Sequence, residues 1–277
     1  MAARLTSICA CLTIVSLILP CQSFARIDPE TVAGAWLFDE EADVVEDVSG
    51  NGNNGVVNGD PDWDNGKFGG AISCDGMNDF VDCGAGESLS IGTDNFSLVA
   101  WMRAAKESPP DWAGNIISRF DTNAPRHGFL FGVRGALDAG NVDKPLLLLG
   151  LGQASGAHLF GTSPITDDEW HHLAATVDRE GAAKLYRDGV FEAEMNIAGS
   201  PNENEDNELN VNIGADSNNR WFFNGLLDEV ALIKAVLTEA EIQDIMNEGL
   251  ERVLGIVAVS PTDRLTATWG SVKAAVR

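Results

Sequence analysis

Short hydrophobic segments, separated by clusters of Gly, Asn, Asp and Pro, run along the chain from residue 31 to residue 233. Several alternate apolar and polar residues, as strands with one buried face do. Segments at this spacing, without helices between them, are typical of an antiparallel sandwich rather than a parallel sheet. We therefore expect strands over residues 31–38, 68–73, 80–83, 96–103, 115–120, 129–134, 146–151, 170–178, 183–187, 190–195, 208–213 and 222–233.

One amphipathic helix is predicted after the last strand. Thr238 stands at its N-cap position and Glu241 follows three residues later, which is the spacing of a capping box. Ile242 and Ile245 lie on one apolar face, and Gly249 ends the helix. We expect this helix to lie across an edge or opening of the sandwich, held mainly by its apolar face.

Residues 1–25 predict a secretory signal peptide that is cleaved. Arg4 supplies the basic start, residues 5–19 supply the apolar segment, and Ser23-Phe24-Ala25 supplies a cleavage site. The apolar segment is too short to span a bilayer comfortably. We therefore expect a secreted or cell-surface protein that does not insert into a membrane after cleavage. Acylation of Cys21, as in a lipoprotein, is the alternative.

The rest of the chain is long enough for one large all-β domain, which we assign to residues 26–252. Residues 253–277 form a tail that is too short to be a domain. No other apolar segment is long enough to cross a membrane.

The net charge of −24, from 42 acidic and 18 basic residues, changes the choice of partners. Such a charge repels phosphate backbones, so we expect no nucleic-acid partner. The acidic residues recur in loops rich in Gly and Asn, which suits a calcium ion bound by oxygen atoms. A solvated acidic surface is the alternative for most of them.

Asp228 and Glu229 lie within the apolar segment 222–233. Two buried and unpaired carboxylates would cost several kcal/mol. A cation, an arginine or backbone N–H groups can compensate them. Because few basic residues are near, we consider a bound metal ion first.

Cys74 and Cys83 remain after signal cleavage, and an exported protein permits a disulfide between them. We predict a hairpin that turns at residues 75–78. Its register would not bring the two sulfur atoms together easily, so the sequence leaves the bond open.

Catalytic patterns are weak. Glu41, Asp43 and Glu46 have the spacing that a retaining β-glucanase uses. Strict alternation, however, sends Glu46 to the face opposite Glu41. His171 and His172 are adjacent on a strand and point to opposite faces, so they cannot share one metal ion without distortion.

Three tryptophans lie beside turn residues and are candidates for ligand binding: Trp63, Trp112 and Trp221. An exposed indole is a platform for the apolar face of a sugar ring. Half-buried loop anchors are the alternative. His127, in the loop 121–128, could donate a hydrogen bond to the same ligand.

Eight segments, which together span roughly residues 30 to 250 in order, resemble the laminin-G-like, concanavalin A-like lectin/glucanase jelly rolls, which also resemble pentraxins. The matching segments include A-W-L-F-D-E (35–40), D-V-S-G-N-G-N-N-G (47–55), F-S-L-V-A-W-M-R (96–103), W-H-H-L-A-A-T-V-D (170–178) and F-F-N-G-L-L-D-E-V-A-L (222–232). The resemblance implies an all-β, two-sheet antiparallel sandwich with one short C-terminal helix.

The resemblance also implies that the first and last strands lie side by side, which would bring Asp39 close to Asp228. Similar domains hold a structural calcium ion at such a place. The implied ligands are Asp39, Asp228, and Asn51 or the carbonyl groups of its neighbours. Asp47 could contribute as a ligand, or it could cap the loop 47–55 by hydrogen bonds.

The sequence thus predicts a secreted, non-catalytic binding module with a structural calcium ion. Its expected partner is a glycan or an extracellular glycoprotein, as in matrix recognition or cell adhesion. The alternatives are a glycoside hydrolase or polysaccharide lyase that uses acids such as Glu41 and Glu46, and a purely structural module of a surface assembly.

Overall fold

The computed structural model describes residues 27–104, 112–137, 140–200 and 206–255. The signal peptide predicted for residues 1–25 and most of the predicted tail lie outside the described residues. Among the described residues, no helix has the length and apolar character that a membrane span needs.

The fold is a sandwich of two antiparallel β-sheets, as predicted. Its strands are β1 (Val32–Trp36), β2 (Val44–Val45), β3 (Gly55–Asn58), β4 (Asp62–Asn65), β5 (Gly70–Asp75), β6 (Phe80–Asp82), β7 (Phe96–Arg103), β8 (Ala113–Phe120), β9 (Gly128–Arg134), β10 (Pro145–Leu149), β11 (Ala157–Phe160), β12 (His171–Val177), β13 (Ala182–Arg187), β14 (Val190–Asn196), β15 (Asn212–Ile213) and β16 (Asn224–Ile233).

The back sheet has the order β14-β13-β12-β7-β16-β5-β4, and β1 also pairs with β16. The front sheet has the order β11-β10-β9-β8-β15-β6-β3-β2. The pairing of β1 with β16 places Trp36 opposite Val230. The first and last long strands therefore lie side by side, which confirms that expectation.

The main core lies between the two sheets and follows from alternation along the strands. On β7, Phe96, Leu98, Ala100 and Met102 face this core, whereas Val99 faces the other side of the back sheet. Each fully buried side chain of this size stabilises the fold by about 1.5–3 kcal/mol. Both faces of β7 are thus apolar, because the outer face is covered as well.

Helix α1 (Glu239–Glu248) begins as predicted, with the complete capping box between Thr238 and Glu241. Gly249, at a φ of +80°, ends it and leads into the short helix α2 (Leu250–Val253). Ile242 and Ile245 pack against the outer face of the back sheet. The helices therefore cover the middle of that sheet.

Four short strands differ from the prediction. Residues 44–45, 55–58, 62–65 and 157–160 form strands that the pattern did not predict. Asp62 and Asp64 lie on the edge strand β4, where Asp64 is paired with Ala71 of β5. Charged side chains are common on edge strands, where they discourage pairing with another chain, and Trp63 of β4 packs against the main core.

The predicted hairpin between Cys74 and Cys83 is wrong, because the chain crosses from the back sheet to the front sheet between β5 and β6. Both cysteines are free thiols buried in the main core. Burial raises the pKa of each thiol above its usual range, which makes both unreactive in the folded protein.

Candidate functional site

The outer side of the front sheet carries a second apolar cluster on strands β8 to β11. Leu130, Leu146 and Leu148 point away from the main core and are nevertheless buried. Leu148 lies opposite Leu130 in the register of β9 and β10. Partly buried aromatic rings, among them Trp112 and Trp221, pack against this cluster.

Trp112 and Trp221 come from distant parts of the chain and form a pair. Trp112 directly precedes β8, and Trp221 lies in the segment before β16. The carbonyl of Trp221 accepts hydrogen bonds from the backbone N–H and the side-chain amide of Asn115 on β8. The two rings lie 4.8 Å apart between centroids, with an interplanar angle of 35°. Such a pair contributes about 0.5–1.5 kcal/mol beyond its buried area.

An arginine guanidinium also packs on each indole. The Arg134 guanidinium carbon lies 3.9 Å from the centroid of Trp112, and that of Arg220 lies 4.8 Å from the centroid of Trp221. An indole has only two faces, so the groups stack in the order Arg134, Trp112, Trp221, Arg220. Because these contacts occupy the faces of both indoles, the geometry favours the alternative that Trp112 and Trp221 are half-buried loop anchors. The ring edges and the Arg220 guanidinium remain for a ligand.

The stack continues towards β11. His158 meets Trp112 edge-on, with ring centroids 5.9 Å apart and an interplanar angle of 89°. Arg126 Nη1 donates to the carbonyl oxygen of Ser155 at 2.9 Å, and His158 Nε2 lies 3.2 Å from the same oxygen. We call this surface the aromatic–arginine face; its residues are Trp112, Arg126, Arg134, His158, Arg220 and Trp221.

The loop that carries Arg220 is organised by Asp216, which is fully buried. Asp216 Oδ1 accepts from the backbone N–H groups of Asn218 and Arg220. Asp216 Oδ2 accepts from Arg220 Nη2 at 2.9 Å. The loop therefore holds the guanidinium against Trp221 in a fixed position.

The predicted ligand residues are only partly brought together. Trp112 and Trp221 are in contact, and His127 is next to Arg126 of the same face. The Nδ1 atom of His127 is buried and has no hydrogen-bond partner among the described residues. Trp63 lies elsewhere, on edge strand β4 of the back sheet, where it lines a cavity of about 260 Å³.

Sequence analysis missed Arg134, His158 and Arg220. A signal for them existed, because strands β8 to β11 contain no Asp or Glu although the chain has 42 acidic residues. Four consecutive strands without an acid, whose connections do contain Asp121 and Asp143, indicate a sheet surface that is used differently from the rest.

Asp39 and Asp228, which were predicted as calcium ligands, both contact the loop 66–70. Asp228 is fully buried, and its Oδ2 accepts from the backbone N–H groups of Lys67 and Phe68 at 2.8 and 2.9 Å. Its Oδ1 has no hydrogen-bond partner among the described residues. Asp39 Oδ1 accepts from the backbone N–H of Gly70 at 3.1 Å.

Asp47 and Asn51 make other contacts. Asp47 accepts four hydrogen bonds, from the backbone N–H groups of Ala35, Ser49 and Asn53 and from the side-chain amide of Asn53. The amide nitrogen of Asn51 donates to the carbonyl of Val32. These bonds favour the capping alternative for Asp47. Among the described residues, no three His, Cys, Asp or Glu side chains form a group that could hold a metal ion.

Asp228 and Glu229 of β16 accept hydrogen bonds from backbone N–H groups. Such donors are one of the three kinds of partner that the sequence led us to expect, beside a cation and an arginine. Burial raises the pKa of Asp228 to about 8 and that of Glu229 to about 7. Glu229 lies at a bulge with a φ of +53° and accepts a hydrogen bond from the N–H of Leu250, the first residue of α2. Both carboxyls are too deeply buried to contact a substrate.

Glu41 and Glu46, the candidate catalytic acids, are exposed and line different cavities. Glu41 lines the cavity of about 260 Å³ that also contains Trp63. Glu46 lines a cavity of about 630 Å³ beside Asp39 and Asp47. The two acids therefore do not face each other across one cleft, as a glycosidase pair must.

A family model for the concanavalin A-like lectin/glucanases superfamily matches residues 75–243, more than half of the chain. No curated protein matches the chain.

Several solved structures share this fold. The binding domain of Paraclostridial Mosquitocidal Protein 1 is 15% identical with a TM-score of 0.61, over 79% of this chain and 52% of that one. Domain 4 of AbnA, a GH43 extracellular arabinanase from Geobacillus stearothermophilus, was solved in complex with arabinotriose; it is 20% identical with a TM-score of 0.55, over 78% of this chain and 98% of that one.

The binding domain of botulinum neurotoxin DC, solved in complex with rat synaptotagmin II, is 13% identical with a TM-score of 0.55, over 79% of this chain and 52% of that one. This chain thus spans about half the length of the toxin binding domains. At these identities the similarity establishes the fold.

Proposed function

We propose that this chain, which belongs to the concanavalin A-like lectin/glucanase superfamily, is a non-catalytic carbohydrate-binding module whose ligand site is the aromatic–arginine face. The observation that carries the proposal is the stack of Trp112 and Trp221 between Arg134 and Arg220 on the outer side of the front sheet. Arginine and tryptophan are the side chains that dominate recognition surfaces.

The chemistry of this face suits a sugar. Sugars present hydroxyl groups around an apolar ring, so they need both hydrogen-bond donors and an apolar surface. Arg220 and Arg126 supply N–H donors, and the partly exposed indole edges and Phe160 supply the apolar surface. A glycan would therefore lie along the edges of the rings rather than flat on an indole face.

Preorganisation of the site supports binding. Asn115 fixes the backbone of Trp221, both indoles pack on the apolar cluster, and Asp216 fixes Arg220. A ligand then orders few side chains on binding, which reduces the entropic cost of association. Rigid placement of rings and guanidinium groups suits recognition.

Calcium belongs to the proposal as a structural ion. The unpartnered Oδ1 of buried Asp228 and the carboxylate of Asp39 fit an oxygen-ligated cation. A bound ion would supply positive charge between these acids and fix the loop 66–70. Secretion stays a prediction, since the described residues begin at Ile27.

The test is binding of the purified protein to a panel of soluble polysaccharides, measured by isothermal titration calorimetry. We expect Trp221→Ala to weaken binding at least about tenfold, since a hot-spot side chain contributes about 2 kcal/mol or more. Trp63→Ala, a matched loss of one indole outside the face, should bind as the wild type does. Thermal unfolding of both variants checks their folding.

Wild-type affinity in a folded Trp221→Ala variant would refute this site. Equal losses in both tryptophan variants would do the same, because Trp63 lies on the other sheet. Failure of the wild type to bind any member of the panel would refute the carbohydrate proposal itself.

A further inference from the structure

Resting on the proposed function, we infer that the glycan bound at the aromatic–arginine face carries oxyanion groups, either carboxylate or sulfate. The guanidinium groups of Arg134 and Arg220 lie over one pair of indoles, and that of Arg126 donates to the Ser155 carbonyl that His158 also contacts. Guanidinium groups match the planar, two-oxygen geometry of such anions, and their hydrogen bonds are about twice as strong as neutral ones.

The charge distribution of the chain supports an anionic ligand at this face. Strands β8 to β11 contain no acidic residue, whereas the chain as a whole has a net charge of −24. In the back sheet, four of the eight strands, β4, β5, β14 and β16, carry acids. The four strands under this face therefore add no negative charge of their own that would repel an anion.

Arg220 presents its charge outward. Its side chain is 48% exposed, while its partner Asp216 is 0% exposed. Asp216 accepts from Nε and Nη2, and no hydrogen bond involves Nη1 in the described part of the chain. The buried carboxylate thus aims the guanidinium, and the Nη1 side remains for a ligand oxygen.

Arg126 is the second accessible group. Its Nη1 donates to the Ser155 carbonyl, and its Nε is buried without a hydrogen-bond partner among the described residues. An unmet N–H next to an aromatic surface is costly unless a ligand or water accepts it. The same carbonyl contacts His158, so Arg126 lies on the side of the face where β11 ends the sheet.

Repulsion by the whole chain limits the kind of anion. The Debye length is about 8 Å at physiological ionic strength, so acids of the back sheet, about 10 Å or more away across the sandwich, are largely screened. The affinity for a short ligand depends on the charges close to the face. A long, densely charged polyanion would also extend to the acidic loops and be repelled there. We therefore expect a glycan whose acidic sugar units are separated by neutral ones, and an affinity that falls as the salt concentration rises.

The experiment compares two pairs of oligosaccharides by calorimetry at low and high salt. The first pair is a galacturonate oligomer and its methyl ester; the second is a sulfated galactan oligomer and its desulfated form. Within a pair, only the charge of the substituent changes. We expect the acidic member of at least one pair to bind about tenfold tighter, which corresponds to one charge-assisted hydrogen bond. The pair that shows the preference identifies the carboxylate or the sulfate.

The variants are Arg220→Gln, Arg220→Lys and the control Arg252→Gln. Arg252 also forms an i,i+4 ion pair, with Glu248, but lies on α2 of the other sheet. Arg220→Gln should abolish the preference for the acidic member, Arg220→Lys should retain part of it, and Arg252→Gln should leave it unchanged.

Equal affinity for the charged and neutral members would overturn this inference and leave carbohydrate binding standing. Equal losses in Arg220→Gln and Arg252→Gln would overturn it too, because net charge alone would then explain the preference. If none of the four oligosaccharides binds while a neutral polysaccharide of the panel does, the inference fails alone; if nothing binds, both proposals fail.

Discussion

Replacing His172 should remove one contribution that destabilises the fold as the pH falls. His172 on β12 is 1% exposed, lies opposite Trp101 of β7, and packs its ring 5.3 Å from that indole. Neither ring nitrogen has a hydrogen-bond partner among the described residues. Burial lowers the pKa of His172 to about 3, and the nearby charge of Asp188 opposes this only in part.

The sign follows from proton binding. An imidazole in the unfolded chain has a pKa of about 6.5. Below that pH the unfolded state therefore binds a proton that the folded state does not bind. Stability is therefore lost as the pH falls. With a folded pKa of about 3, the loss is about 2 kcal/mol between about pH 7.5 and about pH 5, and about 4 kcal/mol near pH 3.

The assay is urea unfolding of the wild type, His172→Phe and His172→Gln at about pH 7.5 and about pH 5. Packing costs of the two substitutions differ, but they do not depend on pH. From about pH 7.5 to about pH 5, the change in the free energy of unfolding of both variants should therefore be about 2 kcal/mol more favourable than that of the wild type. An unchanged pH dependence in both variants would refute the argument that His172 is neutral and buried.

The neighbouring His171 gives a control of opposite sign. Its Nδ1 lies 2.9 Å from Asp188 Oδ2, and this hydrogen bond raises its pKa despite partial burial. Protonated His171 therefore stabilises the folded state at low pH and loses that contribution as the pH rises through its folded pKa. His171→Gln should therefore make the change in the free energy of unfolding from about pH 7.5 to about pH 5 less favourable than in the wild type.

Two further predictions concern the loops of the first strand. Asp47→Ala should reduce the free energy of unfolding by about 3 kcal/mol, because it leaves several loop N–H groups unpaired. Urea unfolding measures this loss, with the exposed Asp43→Ala as the control. A loss below about 1 kcal/mol would contradict the capping role of Asp47. Excess calcium should raise the melting temperature by several degrees over excess chelator, and Asp228→Asn should abolish the rise; equal melting temperatures in the wild type would rule out the calcium site.

The chain itself predicted the local features well. The capping box of α1 depends on residues three apart, so Thr238 and Glu241 identified it without any tertiary information. The opposite directions of His171 and His172 follow from the two-residue period of a strand. The positions of the long strands follow from the same period, since each must bury one face.

Features that depend on pairing partners could not be predicted in this way. Strand β4 has a polar sequence, and only its pairing with β5 makes it a strand. The hairpin expected at residues 75–78 failed because nothing local shows that the chain changes sheets there.

The candidate site shows the same division. The sequence identified Trp112 and Trp221 as aromatic residues beside turns, and it contains the acid-free strands that mark the face. Only the tertiary structure decided that these indoles meet, that Arg134 and Arg220 occupy their outer faces, and that Trp63 lies on the other sheet. Side-chain direction is a local property of a strand, whereas contacts between distant segments depend on which strands are neighbours in the sheets.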